Sequence, residues 1–532
     1  MPDDRMQQAE PFGRPLTYYS DTRGFAETPL PFSAAIIQGL APGGGLFVPQ
    51  QLPRLSLDEV LCLAKLPYAR QAADIYRRFG VDFSDAQIDS LMSKSYSQNF
   101  STEEIAPVVE VAPQTFVLEL FHGPTAAFKD MALQCLPQFL SAALERNADS
   151  DMPAMHLILV ATSGDTGSAA LDGFRNLPNL GIIVCYPRDG VSELQRRQMA
   201  AAEGDNIGVV AIDGNFDDCQ NAVKATFNDA GFAERLLSRG IRLTSANSIN
   251  WGRLLPQVVY YASAYSRLVA EDALAAGGLL DVCVPTGNFG DILAAWYARA
   301  IGVPLGRLYC ASNENRVLSD FISSGVYDIS DRQFKLTPSP SMDILVSSNL
   351  ERQLFELNGH NSSLIRQWMQ SLQDTRRFEV DAATFAAMSD VYLGDWVSNE
   401  ECLTTIQTVF EQHRYLLDPH TAVAWKVAER LRPVDASGYV RPMLITATAH
   451  WAKFAEDVYR ALAGIAAGGE LPAAVSNLPG GDLIALIQKE FSTGPVPKNL
   501  LELDSKPLRF TDTSPGTRAG LELAILDWLD RS

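Results

Sequence analysis

The sequence predicts a doubly wound α/β fold built on parallel sheet, and three observations carry that prediction. Between residues 115 and 325, short β-branched or apolar runs alternate with segments of helical periodicity. Such alternation specifies parallel strands linked by helical crossovers. The runs are almost continuously apolar, as strands covered on both faces must be. Where several runs end, a cluster of Gly, Ser, Thr, Asn or Asp opens the next helix. In an open α/β sheet those carboxyl ends line the ligand crevice.

The first hundred residues stand apart. A Gly/Pro-rich turn, Leu40-Ala-Pro-Gly-Gly-Gly45, precedes helical segments from Ser56 onward, and we read a separate N-terminal unit. Strands are predicted over 115–121, 156–161, 181–186, 208–212, 241–244, 280–285 and 307–311. The helices among them fall at 125–145, 165–174, 192–202, 216–227, 249–269, 291–300 and 314–322. A helical stretch over 382–432 comes next, then a buried strand at 443–447 and a helix at 452–467. Pro and Gly breaks divide the last ~60 residues, which read as a peripheral tail ending in a helix. At ~100–200 residues per domain, 532 residues make roughly three or four units.

Composition narrows the function. The chain has 43 Lys and Arg against 63 Asp and Glu, a formal net charge of −20. With no basic run to neutralise phosphates, this balance excludes nucleic acid and anionic membrane surfaces as partners. Small anions remain open, provided local cations or backbone N–H groups hold them. No stretch approaches the ~18 consecutive apolar residues of a membrane span. Met1-Pro-Asp-Asp-Arg5 lacks the basic and apolar regions of a signal peptide, so a cytoplasmic protein is expected. Cys62, Cys135, Cys185, Cys219, Cys283, Cys310 and Cys402 are scattered, with no C-x-x-C pair. They read as buried free thiols in a reducing compartment, with neither a disulfide framework nor a zinc site. His413 and His420, the only close histidine pair, have a proline between them, and no metal is expected.

Five segments carry residues suited to chemistry. In Phe121-His-Gly-Pro-Thr-Ala-Ala-Phe-Lys129-Asp130, a strand passes through a Gly-Pro turn into a helix starting near Thr125, with Lys129 in its first turn or so. A helix N-terminus disfavours a cation, and a lowered amine pKa is what a Schiff-base lysine needs. The plainer reading is a surface lysine paired with Asp130. In Val160-Ala-Thr-Ser163-Gly164-Asp165-Thr166-Gly167-Ser168, N–H groups and hydroxyls at a helix start form an anion cradle or simply an N-cap. Val284-Pro-Thr286-Gly287-Asn288-Phe289-Gly290-Asp291 is a glycine-rich turn whose N–H groups suit a phosphate, or merely a tight connection. It has neither the Walker Lys-Ser/Thr nor a full G-x-G-x-x-G. Ser245-Ala-Asn247-Ser248-Ile-Asn250-Trp-Gly-Arg253 brings amides, hydroxyls and a guanidinium to one helix start. There Arg253 grips a carboxylate or phosphate, or pairs with a surface acid. Ile445-Thr446-Ala-Thr448-Ala-His450 is the fifth strand end, and His450 by itself reads as a structural histidine.

Together these segments resemble the motifs of threonine synthase, a family of pyridoxal-phosphate (PLP) enzymes with the tryptophan-synthase-β fold. The matching stretches are F-H-G-P-T-A-A-F-K-D, A-T-S-G-D-T-G, A-N-S-I-N-W-G-R-L-L-P-Q, P-T-G-N-F-G-D and A-T-A-H. Tyr19-Ser-Asp-Thr-Arg-Gly24, Pro338-Ser-Pro-Ser-Met-Asp-Ile344, Ser347-Ser-Asn-Leu-Glu-Arg352 and Asp418-Pro-His-Thr-Ala-Val423 support them, and the likeness runs from about residue 17 to 462. The resemblance implies PLP fold type II: two doubly wound open-sheet lobes with an additional N-terminal domain. The implied divisions are 1–100 for the N-terminal domain, 101–150 with 275–465 for the large PLP lobe, 151–274 for the small lobe and 466–532 for the tail. It also implies roles. Lys129 falls on the Schiff-base lysine. Gly287, Asn288, Phe289, Gly290 and Asp291 fall on the loop holding the cofactor phosphate, and Thr448 on the residue that meets the pyridine nitrogen. Ser163, Asp165 and Thr166 line the substrate side, and Asn247, Asn250 and Arg253 the substrate-phosphate side.

The reaction so implied converts O-phospho-L-homoserine and water to L-threonine and phosphate, the last step of threonine biosynthesis. Lys129, once free of the cofactor, serves as acid and base while the ring absorbs charge. Two alternatives share the motifs: a phospho-lyase releasing 2-oxobutyrate, and a non-catalytic PLP-binding protein. The expected partner is a small phosphorylated amino acid, and the expected state a monomer or homodimer. Three positions depart from the family pattern: Trp451 stands where proline is usual, Gly43 where aspartate is usual, and Ala126 where leucine is common. None of them removes a catalytic group.

Overall fold

The N-terminal unit forms around aromatic side chains. In the computed structural model, which describes residues 13–147, 153–162, 164–188, 190–433 and 438–531, β1 (Tyr18–Asp21) lies antiparallel between β2 (Leu30–Pro31) and β3 (Phe47–Pro49). Helices Leu57–Cys62 and Asp85–Ser95 start at capping boxes, Ser56 with Glu59 and Ser84 with Gln87. In each, two orphan N–H groups of the helix start find side-chain acceptors. Tyr19 packs 5.6 Å from Trp251, which meets Tyr297 edge-on at 5.2 Å. The unit therefore shares one core with the α/β region.

The apolar runs form two larger sheets. One contains β4 (Val108–Ala112), β5 (Thr115–Glu119), β10 (Leu280–Pro285), β11 (Leu305–Ser312), β14 (Tyr392–Trp396) and β15 (Met443–Ala447), in the order β14-β11-β10-β15-β5-β4. Only the edge pair β4–β5 is antiparallel. The other contains β6 (Met155–Ala161), β7 (Leu180–Pro187), β8 (Ile207–Asp213), β9 (Ile241–Thr244) and β16 (Thr513–Pro515), in the order β16-β8-β7-β6-β9, parallel throughout. Every residue of β7 and β10 is buried, which is why their sequences show no polar alternation. A short antiparallel ribbon, β12 (Val326–Asp328) with β13 (Arg377–Glu379), completes the strands among the described residues.

Four expectations are corrected. The helix predicted over 125–145 is two, Lys129–Leu133 and Leu136–Arg146. Ala126 sits at φ 58° and Ala127 bridges to Ala449, so the chain is still in a non-helical turn where the helix was expected to begin. The stretch 382–432 is broken by β14, which pairs with β11 along its length. The last residues are not peripheral. β16 adds a parallel edge to the second sheet, and helix Arg518–Arg531 buries Leu521, Ile525 and Trp528. Cys62 is exposed, although the other six cysteines are buried as expected.

The sheets meet through helices. Gly173, in helix Asp165–Phe174, lies so close to the Leu133 carbonyl that a Cβ would overlap it. Backbone on backbone leaves nothing that can rotate away. Gly173→Ala is expected to destabilise the fold by about 1–3 kcal/mol, the usual range for an overpacked core. A denaturant midpoint equal to that of the parent would refute this.

Candidate active site

Neighbouring strands deliver the predicted clusters. β10, β15 and β5 lie side by side, and their ends lead to the Gly287 turn, Thr448 and the Lys129 turn. β6 and β9 are likewise neighbours, leading to Asp165 and to the segment 245–253. Clusters far apart in sequence thus gather at carboxyl ends of strands, where an open sheet forms its crevice.

The Lys129 turn is stitched to the end of β15. The Phe128 N–H donates to the Thr448 carbonyl at 2.8 Å, and the His450 N–H donates to the Ala126 carbonyl at 3.0 Å. Lys129 is thereby the first residue of its helix, with its side chain only 11% exposed. Nζ donates to Ser341 Oγ at 3.2 Å and lies 3.6 Å from Asp165 Oδ2. Burial pulls the amine below the ordinary lysine range; Asp165 opposes that, while Lys453 and Arg253 add to it. Asp130 is not its partner. Fully buried, it accepts from the Thr125 N–H and hydroxyl at 2.8 and 2.7 Å, and burial pushes its carboxyl up to about 7.

Asp165 is the hub. Its Oδ1 accepts from Lys453 Nζ at 2.8 Å and Gln195 Nε2 at 2.9 Å, and its Oδ2 accepts from the Ser341 hydroxyl at 3.2 Å. Burial works against its charge, but Lys453 and then Lys129 prevail and hold it far below the usual carboxylate range. At the same helix start, Thr162 Oγ1 accepts from the Gly164 and Gly167 N–H groups at 3.0 and 2.9 Å, so part of that cradle is already filled. Thr166 is half-buried, and Ser163 lies outside the described residues.

In the glycine-rich turn, a Cβ on Gly287 would lie 2.7 Å from the Ser341 carbonyl, so only glycine admits the 340–342 turn. Phe289 adopts φ 61° and turns the chain into helix Gly290–Ala300. Asn288 is tied down, its carbonyl by the Asn349 N–H at 3.0 Å and its Oδ1 by Ser348 Oγ at 3.2 Å. The Asp291 side chain faces the other way. Oδ1 accepts from Tyr260 and Tyr261, Oδ2 has no partner, and burial raises the carboxyl to about 6. Its carboxylate is therefore no part of an anion cradle, as electrostatics requires. Thr448 is buried, and among the described residues its hydroxyl has no hydrogen-bond partner.

The 245–253 segment divides. Asn250 caps helix Trp251–Ala270 through the Gly252 N–H at 2.9 Å and donates to the Ile36 carbonyl at 2.8 Å. Both ends of its amide are engaged within the fold. Asn247 is exposed. Arg253 is 5% exposed, donates only to the Ala246 carbonyl at 3.2 Å, and leaves Nε buried without a partner. No acid pairs with it among the described residues, so the surface-pair reading fails. Burial brings it down to about 10, still a cation at neutral pH.

Four residues had no role assigned from sequence: Ser341, Lys453, His420 and Asp418. His420 Nε2 accepts the Ser341 N–H at 3.1 Å, and its Nδ1 meets Asp418 Oδ1 at 2.8 Å. The first bond places the ring proton on Nδ1, so Asp418 fixes the tautomer that anchors the 340–342 turn. Ser341 and His420 lie in segments whose family likeness was visible; nothing local points Lys453 at Asp165. His450 is buried, accepts from the Ala452 N–H at 3.2 Å and is pushed down to about 3 by burial, a neutral structural histidine.

This set fits the cofactor that the sequence implies. It offers a buried amine of lowered pKa, a glycine turn opening a helix, a hydroxyl without a partner and an orphaned guanidinium.

Known proteins resemble the chain along most of its length. Residues 18–96 match the family "Threonine synthase N terminus", 107–438 "Pyridoxal-phosphate dependent enzyme" and 421–482 "Threonine synthase, C-terminal". The chain is 42% identical over 440 residues to human "Threonine synthase-like 1", covering 81% of this chain but only 58% of that protein's length. It is 40% identical over 461 residues to "Threonine synthase" of Pseudomonas aeruginosa, covering 86% and 93% of the two chains. The crystal structure of PLP-bound threonine synthase from Brucella melitensis superposes with a TM-score of 0.82 at 34% identity, over 96% and 99% of the chains.

Proposed function

This chain belongs to the threonine synthase family of PLP-dependent enzymes, and on that premise we propose that it converts O-phospho-L-homoserine and water to L-threonine and phosphate. The observation that carries the reading is the combination of a buried lysine with a buried cation that no acid neutralises among the described residues. Arg253, with its Nε unpartnered, is near enough to Lys129 for its charge to depress the lysine. An amine for the cofactor beside a site for an anion is what a phosphorylated amino acid requires.

PLP supplies an electron sink when bound. The rest is done by the chain. Lys129 would hold the cofactor and, as a free amine, would take the proton from the substrate Cα and return one there. The N–H groups of Gly287, Asn288, Phe289 and Gly290 would hold the cofactor phosphate, and the Thr448 hydroxyl would serve the pyridine nitrogen. Asp165 and Ser341 fix the position of the amine, and Thr166 lines the substrate side. Arg253 takes the substrate phosphate, with Asn247 at the mouth of that subsite. A neutral hydroxyl at Thr448 would offer a pyridine nitrogen no counter-charge to stabilise its protonated form.

The test is product identity. PLP-loaded protein incubated with O-phospho-L-homoserine is expected to release threonine and phosphate in equal amounts, measured by chromatography and phosphate assay. Release of 2-oxobutyrate with ammonia would make it a phospho-lyase, and no phosphate release would make it a binding protein.

A further inference from the structure

We propose that Lys453 is a positioning residue for Lys129: by pairing with Asp165 it neutralises the carboxylate that would otherwise hold Lys129 as an ammonium ion. The inference rests on the reading of Lys129 as the reacting amine.

The geometry is a carboxylate shared by two lysines. Lys453 lies in the 3₁₀ turn Trp451–Phe454 that follows β15, and is 1% exposed. Its Nζ is 2.8 Å from Asp165 Oδ1 and donates to the Thr125 carbonyl at 2.8 Å. Lys129 reaches the other oxygen, Oδ2, at 3.6 Å. Attraction between charges falls with distance, so Lys453 is the stronger partner. One negative charge cannot hold two ammonium groups equally well in a buried site. The second amine is left partly unneutralised, and its neutral form is favoured.

The remaining charged groups reinforce this. Arg253 faces Lys129 from helix Trp251–Ala270 and disfavours a second cation. His420 faces Asp165 from helix Pro419–Leu431. Asp130 faces Lys453 from the Lys129 helix, but its oxygens are engaged by Thr125. Gln195 and Ser341 complete the shell of Asp165 without charge. A lysine opposite a single buried carboxylate would stay protonated at neutral pH and could neither bond to the cofactor nor take a proton. The second lysine removes that obstacle while keeping the carboxylate for orientation.

The test titrates Lys129 directly. In cofactor-free protein, acetylation of Lys129 by acetic anhydride is followed against pH by peptide mass spectrometry, and in loaded protein the visible absorbance is titrated over the same range. Lys453→Met is expected to move the Lys129 midpoint up by about one pH unit or more, because a counter-charge is released to it and a repulsion removed. Lys453→Arg, which keeps the charge, is expected to stay near the parent. Asp165→Asn is expected to move the midpoint down, and it decides the matter if Lys453→Met does not fold. A Lys453→Met midpoint equal to that of the parent, or an unchanged or raised midpoint in Asp165→Asn, would overturn the proposal and leave Lys453 a strut between Thr125 and Asp165. Because acetylation needs no turnover, a chain that shifts as expected yet makes no threonine would refute only the proposed reaction.

Discussion

Lys129→Ala is expected to abolish the visible absorbance of the PLP-loaded protein and its turnover together, the latter by at least ~10³-fold. In the role proposed for it, Lys129 both retains the cofactor and moves protons, two tasks that no uncharged side chain can take over. Lys453, which shares Asp165 with it, is committed to Asp165 Oδ1 and the Thr125 carbonyl. The fold should survive the change. Removing Lys129 leaves Asp165 with Lys453 and Gln195 on one oxygen and Ser341 on the other, a neutral and hydrogen-bonded set. A thermal melt of the cofactor-free variant close to that of the parent therefore separates lost chemistry from lost structure. Retained turnover would remove Lys129 from its proposed role; a large fall in the melt would leave the loss of turnover attributable to unfolding.

Features set by burial were legible in the sequence, and features set by distant pairing were not. The central strands belong to the first kind. Each residue of β7 and β10 is buried, and a strand covered on both faces needs a nearly continuous apolar run. β14 belongs to the second. It is an edge strand with one buried residue and four half-buried ones, inside a stretch that reads as helix. Its conformation comes from pairing with β11, about 80 residues earlier in the chain. The Lys129 turn was legible as chemistry but not as geometry. A strand followed by a Gly-Pro turn suggested a helix start near Thr125, whereas hydrogen bonds with β15's exit hold 126–128 in a turn ahead of the helix. The same non-local cause hid Lys453 and Ser341. That β15 inserts between β10 and β5 is a fact of topology, and only this insertion carries Lys453 to Asp165. Arg253 was legible as an anion-binding candidate, but its rival reading fell only when the structure showed it buried without an acid. Asn250 and Asp291 show the converse. Their residue types suit a phosphate site, yet one caps a helix and the other bonds two tyrosines.

Arg253→Met is expected to raise stability and lower function, and the opposition of signs is the point. Burying a cation costs several kcal/mol unless partners repay it. Among the described residues, one carbonyl at 3.2 Å is the only partner, and Nε has none. Replacing such a group by an apolar side chain of similar length often gains ~1–4 kcal/mol. The cofactor-free variant should therefore melt above the parent. A substrate phosphate would be the missing partner, and truncating one member of a buried charge pair costs about 2–5 kcal/mol. At about 1.4 kcal/mol per tenfold, kcat/KM for O-phospho-L-homoserine should fall at least roughly 30-fold. The loss should sit in substrate recognition, so visible absorbance on adding PLP should persist, which distinguishes this variant from Lys129→Ala. Lys in place of Met should recover part of the loss, as a point charge without the planar fork. A variant that melts below the parent while keeping its kcat/KM would show that Arg253 is a structural guanidinium and that the substrate phosphate is held elsewhere. In the role proposed for it, Arg253 is a charge kept buried at a cost to the empty protein because the substrate phosphate would complete it.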